Sequence, residues 1–255
     1  MISKTAKMII DVHAHITFSS DKKEILKAVH QYEIDGVYLS YVEGVGYYPT
    51  EEQIAFCNKV TSDFCKEHSD IFRYMCYVNP CNRNTAEVIR RAVEDDNAKG
   101  IKLWVATKCN SPFVDVVMEE AIRYRIPVLI HTFHKYDGTQ LADESTAYDV
   151  ADLARRYPEA SLIMAHLGGD AYHGIKPIRD LKNVWVDTSG TIYRNGELDY
   201  TLQMVGENRV LFGTDAQGIP YPLNIGFVQD ADAPCEVKEK IFYKNALAVF
   251  GEEEK

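Results

Sequence analysis

With 255 residues, 46% of them hydrophobic, the chain can bury a sizeable core, which excludes wholesale disorder. Its net charge of −10 argues against a broad surface for nucleic acid or anionic membrane. The six cysteines (Cys57, Cys65, Cys76, Cys81, Cys109, Cys235) form no CxxC pair, so zinc-ribbon and thioredoxin spacings are missing and reduced structural thiols are expected.

The chain alternates β-rich apolar runs with segments of helical periodicity. Strands are predicted near 8–13, 36–41 (GVYLSY), 72–78 (FRYMCYV), 100–105 (GIKLWV), 126–131, 161–166, 184–189 (VWVDTS) and 209–214. Between them, helices are predicted over 21–34, where Ile25, Leu26, Val29 and Ile34 share a face, and over 50–65, which opens with Thr50-Glu51-Glu52 as cap and acidic first turn. Further helices are expected over 85–98, 113–125, 144–156, 174–181, 197–206 and 235–250. Eight such units, a strand starting about every 28 residues, are the pattern of a single (β/α)8 TIM barrel, an α/β fold. A doubly wound open sheet is the competitor, but eight units are many for it and no GxGxxG opens the first helix. No linker or composition break divides the chain, so one domain is expected over residues 1–255. The longest polar connection, Phe133–Ser145, follows a strand and is a candidate substrate-covering segment.

Four of these runs end in metal-capable side chains: MIIDVHAH (His13, His15), IPVLIHT (His131), SLIMAHLGG (His166) and RVLFGTDAQ (Asp215). Residues two apart on a strand face the same way, so the HxH step aims both imidazoles into the barrel mouth, a geometry that suits two ligands on one ion of the zinc class. His131 and His166 end near-continuous apolar strands, as strands buried on both faces should read. A buried carboxylate is costly unless paired or metal-bound, so Asp215 is a candidate ligand and proton acceptor. Lys102 lies mid-strand, and three readings stay open: a cation that holds substrate at the mouth, a carbamate bridging two metals, or an outward lysine between helices.

Together, the DxHxH step, the GIKL strand, the two strand-end histidines, HLGG and the terminal GTD resemble the amidohydrolase superfamily. The likeness is nearest to its amidohydrolase-2 branch, which includes amino-carboxymuconate-semialdehyde decarboxylase, and it spans roughly residues 8–250. It implies a metal-dependent (β/α)8 barrel in which His13, His15, His131 and Asp215 hold one divalent ion, zinc first and manganese as the alternative. It also implies that His166 is a general acid/base outside the ligand set. Trp104 and Val105 stand where many relatives carry a histidine, so the reaction is not carried over by analogy, and the branch contains both hydrolases and decarboxylases.

The first expectation is a hydrolase that turns a zinc-activated water on a small carboxylate-bearing amide, lactone or ester, with His166 and Asp215 catalytic. Lys102, Arg194 and Trp104 are the substrate-binding candidates. The alternative is a non-oxidative decarboxylase of an aromatic or conjugated acid at the same site, with Trp104, Phe133, Tyr136 and Tyr193 as flat walls. One metal is favoured over two, because Trp104 would crowd a second ion beside Lys102. No stretch reaches the roughly 18 apolar residues of a membrane span, and the run before Asp11 is too short for a signal peptide. A cytoplasmic enzyme with a small-molecule substrate is expected, with no nucleic-acid or membrane partner; a homodimer is left open.

Overall fold

The computed structural model describes residues 6–42, 44–190, 193–216 and 218–254. Eight strands form one sheet in chain order, each parallel to the next: β1 Ile10–His15, β2 Gly36–Ser40, β3 Phe72–Val78, β4 Gly100–Leu103, β5 Val128–Ile130, β6 Leu162–Met164, β7 Val184–Asp187 and β8 Val210–Leu211. The last strand returns to the first. Val12 N donates to Phe212 O at 3.0 Å, Asp215 N to His13 O at 2.7 Å and His15 N to Ala216 O at 2.5 Å. This is the closed (β/α)8 barrel that the alternation predicts.

The strands read as apolar runs because both of their faces are buried, one by the barrel interior and one by helices. Val128–Ile130 and Leu162–Met164 are buried at every position. Helices cover the outside: α1 Lys22–Gln31, α2 Glu51–Glu67, α3 Thr85–Glu94, α4 Asp115–Tyr124, α5 Ala147–Arg156, α6 Ala171–Gly174, α7 Glu197–Val205, α8 Tyr221–Asp230, α9 Cys235–Glu239 and α10 Asn245–Phe250. The start of α2 lies where the Thr50 cap places it, with Thr50 and Gln53 closing a capping box.

Two expectations are corrected, and one helix was not predicted. The helix predicted over 174–181 is the short α6 followed by a 3-10 turn at Lys176–Ile178, because Pro177 lacks the N–H that a longer helix would need. The helix predicted over 235–250 is interrupted by a π-turn at Lys240–Lys244, a one-residue widening that helices accommodate at the cost of regular bonding. The helix that was not predicted is α8, which the turn-like run Gly218-Ile219-Pro220-Tyr221-Pro222 concealed.

No described helix is long and apolar enough to cross a membrane.

The turn after β6 is tightly built. His166, Leu167, Gly168 and Gly169 all have positive φ, at 62°, 49°, 77° and 86°, and α6 packs directly on them. A Cβ at Gly174 would collide with the carbonyl oxygen of Leu167 and crowd the Gly168 Cα. Gly174→Ala should therefore cost about 1–3 kcal/mol, as overpacking does, a fall in Tm of roughly 3–10 °C for a chain of this size. Calorimetry checks it; an unchanged Tm would mean that the turn can shift freely.

Candidate metal centre

His13 and His15 share the interior face of β1, and Asp215 follows β8, the strand that closes against it. His13 Nε2 and His15 Nε2 lie 3.1 Å apart, and Asp215 Oδ1 is 3.0 Å from the second and 3.5 Å from the first. From the other side, His131 Nδ1 and His166 Nε2 meet at 3.2 Å. Lys102 Nζ lies 2.7 Å from His13 Nε2, so it points inward; the outward reading fails. Among the described residues, His13, His166 and Asp215 are the group whose ligand atoms all lie within 4.8 Å of one another. The geometry thus gathers His166 with the ligand candidates and does not set it apart.

Each imidazole is also held from behind. His13 Nδ1 donates to Asp187 Oδ2 at 2.8 Å, and His131 Nε2 to Glu144 Oε1 at 2.9 Å. His15 Nδ1 meets Ser40 Oγ at 3.0 Å and His166 Nδ1 meets Ser189 Oγ at 2.9 Å. Ser189 Oγ in turn donates to Asp187 Oδ1 at 2.5 Å, which leaves the hydroxyl oxygen to accept from His166 Nδ1. An ionised carboxylate only accepts, so the outer nitrogens of His13 and His131 carry the protons and their inner nitrogens are bare lone pairs.

Burial lowers the pKa of His15 to about 4 and of His166 to about 3, against the pull of Asp215. The inner lone pairs of His13, His131 and His166 therefore converge beside an ionised Asp215, which accepts from His15 Nε2 at 3.0 Å, with the Lys102 ammonium at their edge. Nitrogens plus carboxylate are what a divalent ion of the zinc or manganese class takes. The residues fit a metal. His13, His15, His131 and Asp215 would hold it, with His166 at the same centre.

Burial would push Asp187 and Asp215 up, but the surrounding imidazoles outweigh it: His13 foremost at Asp187, and the His15 hydrogen bond with His13 and His166 at Asp215. Both carboxyls are held well below the usual range. Burial lowers Lys102 to about 8 even with Asp215 and Asp187 near. Beneath the centre, Asp11 is fully buried and accepts from His13 N at 3.0 Å, Thr214 N at 3.1 Å and Thr214 Oγ1 at 2.5 Å. It thereby ties the ligand-bearing end of β1 to the one after β8, and burial raises its carboxyl to about 7.

Two substrate-binding candidates stand apart from this cluster. Arg194 is 45% exposed and paired with Asp170 at 3.0 Å and Glu197 at 3.8 Å. Trp104 packs edge-on against Tyr47, ring centroids 5.4 Å apart. Of the other aromatic candidates, Tyr136 is 60% exposed and Tyr193 donates to Asn224 Oδ1 at 2.8 Å beside Phe227. Phe133 does reach the centre. Its ring lies 5.7 Å from that of His166 and stacks at 6.4 Å on that of His131.

Sequence reasoning passed over Asp187, Ser189, Ser40 and Glu144. Asp187 had the same signal as Asp215, an acid at the C-terminal end of a predicted strand. Glu144, inside a polar loop, had none.

The chain belongs to the amidohydrolase family, which it matches over residues 10–251. Among the curated proteins none matches the chain. Among solved structures it is similar to 5-carboxyvanillate decarboxylase from Sphingomonas paucimobilis, at 16% identity and a TM-score of 0.80 over 96% of this chain and 99% of that one. It is similar to a dihydroxybenzoic acid decarboxylase from Polaromonas with bound manganese and the inhibitor 2-nitroresorcinol, at 14% identity and a TM-score of 0.78, with 96% and 97% covered. It is also similar to 4-oxalomesaconate hydratase from Rhodopseudomonas palustris, at 17% identity and a TM-score of 0.72, with 96% of each chain covered. At these identities the likeness establishes the fold.

Protein reloaded with manganese or zinc should hold about one ion per chain, and His13→Ala or Asp215→Ala should lose at least nine-tenths of it, since removing a ligand from such a site commonly costs more than the roughly 10–100-fold of an outer-shell change. Elemental analysis of the purified variants checks this, with Arg194→Ala as the variant expected to keep its metal.

Proposed function

We propose that the protein is a metal-dependent non-oxidative decarboxylase of a planar aromatic or conjugated carboxylic acid. The observation that carries this reading is Phe133, whose ring lies against the imidazoles of both His131 and His166. A flat apolar wall beside a cluster of neutral imidazoles suits a ring-bearing acid better than a flexible amide or ester. The named activities of similar structures support the same reaction class. Hydrolysis, the first expectation from sequence, has no comparable support.

When bound, a divalent ion, zinc or manganese, would supply the positive charge that binds and polarises the anionic oxygens of the substrate. Lys102 Nζ, 2.7 Å from His13 Nε2, adds a second cation at the floor of the site and neutralises a substrate carboxylate or phenolate there. Phe133 orients the ring. Asp215 and His166 handle the proton. With the phenolate stabilised by Lys102 and by the ion when bound, Asp215 takes the proton of a ring hydroxyl in spite of its own low pKa, which raises electron density at the carbon bearing the carboxylate and leaves a strong acid to return the proton. The proton is then returned to that carbon, the carbon–carbon bond breaks with its electron pair going back to the ring, and CO2 leaves. The phenolate recovers its proton from water, so each turnover consumes one proton. Such general acid/base transfer is worth about 10²–10⁴ in rate.

Asp187 serves this chemistry indirectly. Its Oδ1 accepts from His166 N at 3.0 Å and so holds the strained residue whose ring faces the substrate.

The test is a panel of hydroxybenzoates, conjugated acids, lactones and amides offered to manganese- and zinc-loaded enzyme, with CO2 measured against substrate loss. One CO2 per acid consumed is expected, and Phe133→Ala should raise KM about tenfold with a smaller change in kcat, as loss of ground-state binding does. Turnover confined to lactones or amides, without CO2, would restore the hydrolase reading.

A further inference from the structure

The segment 133–145 folds back on itself and is closed at its base. Thr132 bridges Ser145, Phe133 N donates to Ser145 O at 3.0 Å, and Ser145 Oγ accepts from Cys109 N at 2.9 Å. Within the loop, Lys135 N donates to Gln140 Oε1 at 2.9 Å and Gln140 Nε2 to Phe133 O at 3.2 Å. These bonds are ordinary. What is not ordinary is the group they surround.

Glu144 is 2% exposed and all of its acceptor capacity is used. Lys135 Nζ reaches both oxygens at 2.9 Å. Gln140 Nε2 donates to Oε2 at 2.9 Å and Leu141 N at 3.3 Å. The remaining bond, from His131 Nε2 to Oε1 at 2.9 Å, leaves the segment and enters the barrel. One buried carboxylate therefore gathers three donors of the loop and one imidazole of the centre. Opening the loop would strip Lys135 and Gln140 from a buried anion, a costly state unless His131 lets go as well. Turning His131 over would in turn leave Glu144 short of a donor inside the loop.

We propose that Glu144 is a positioning residue that makes closure of segment 133–145 and presentation of His131 Nδ1 to the centre one event. Carboxylate behind imidazole is the arrangement that fixes the tautomer of a metal-binding histidine; here the carboxylate belongs to the segment whose first residue, Phe133, lies against the same imidazole. The same closure seats Phe133, the segment's first residue, against His131. The inference rests on the proposed function only in taking His131 as a ligand and Phe133 as a wall, and its readouts do not require turnover.

The test compares the native protein with Glu144→Ala and Glu144→Gln by nitrogen-15 NMR of the His131 ring, by trypsin cleavage after Lys135 and by calorimetric titration with manganese. Native protein should show His131 protonated on Nε2 and slow cleavage. In Glu144→Ala the tautomers should mix, cleavage after Lys135 should speed by at least about tenfold, and manganese should bind about 10–100-fold more weakly, the range for outer-shell partners of a ligand. Glu144→Gln keeps an acceptor for His131 but loses the charge facing Lys135, so tautomer, cleavage rate and manganese affinity should shift together, each by less than in Glu144→Ala. It also carries the test should Glu144→Ala fold poorly. Faster cleavage in Glu144→Ala with the His131 tautomer and manganese affinity unchanged would show the two events to be independent and overturn the proposal, as would native behaviour in every readout. An enzyme that releases no CO2 from any acid would sink the proposed reaction and leave these readouts standing.

Discussion

Imidazole has two nitrogens, and in the neutral ring one donates while the other accepts. Fixing the donor on the outside of a ring of residues fixes the acceptor on the inside. In this barrel the outer nitrogens of His13 and His131 are tied to the carboxylates of Asp187 and Glu144, and those of His15 and His166 to serine hydroxyls. The inner nitrogens are left converging beside Asp215. The convergence of the inner lone pairs follows from that outer ring of bonds, while burial keeps His15 and His166 neutral.

The same requirement explains where the backbone is strained. His166, Leu167 and Asp215 adopt positive φ without being glycine, at a cost of order 1–3 kcal/mol each. A residue leaving a barrel strand in ordinary extended geometry would carry its side chain past the mouth. The left-handed turn folds it back over the strand ends. Asp187 Oδ1 holds His166 N in that turn and His13 O holds Asp215 N. The strain is thus restrained by groups that belong to the centre itself.

Much of this was legible in the chain. Runs such as Ile126-Pro127-Val128-Leu129-Ile130 announce buried strands, and imidazole or carboxylate at the end of each announces a shared site. The inner ring of the centre could be read because each member repeats the same local pattern. The outer ring could not. Asp187 meets His13 across 174 residues of sequence, and Glu144 sits in a loop whose polarity is equally that of any solvated connection, so their partners exist only once the barrel has closed. Arg194 shows the converse: a basic residue on the correct connection, but engaged by Asp170 and Glu197 at the rim. The helix Tyr221–Asp230 escaped notice because prolines that suit a first helical turn also punctuate loops.

The barrel closes through its shortest strand. β8 has two residues, and the seam between β8 and β1 is carried largely by the positions that bear or brace the centre: Asp11, His13, His15, Thr214 and Asp215. Asp11 and Thr214 are 203 residues apart, so this contact closes nearly the longest loop the chain can make, and long loops are closed late. The chemistry is consequently the last thing the fold acquires. A chain still emerging from the ribosome, or one with seven strands assembled, has its imidazoles but no Asp215 opposite them, and such an intermediate is inert.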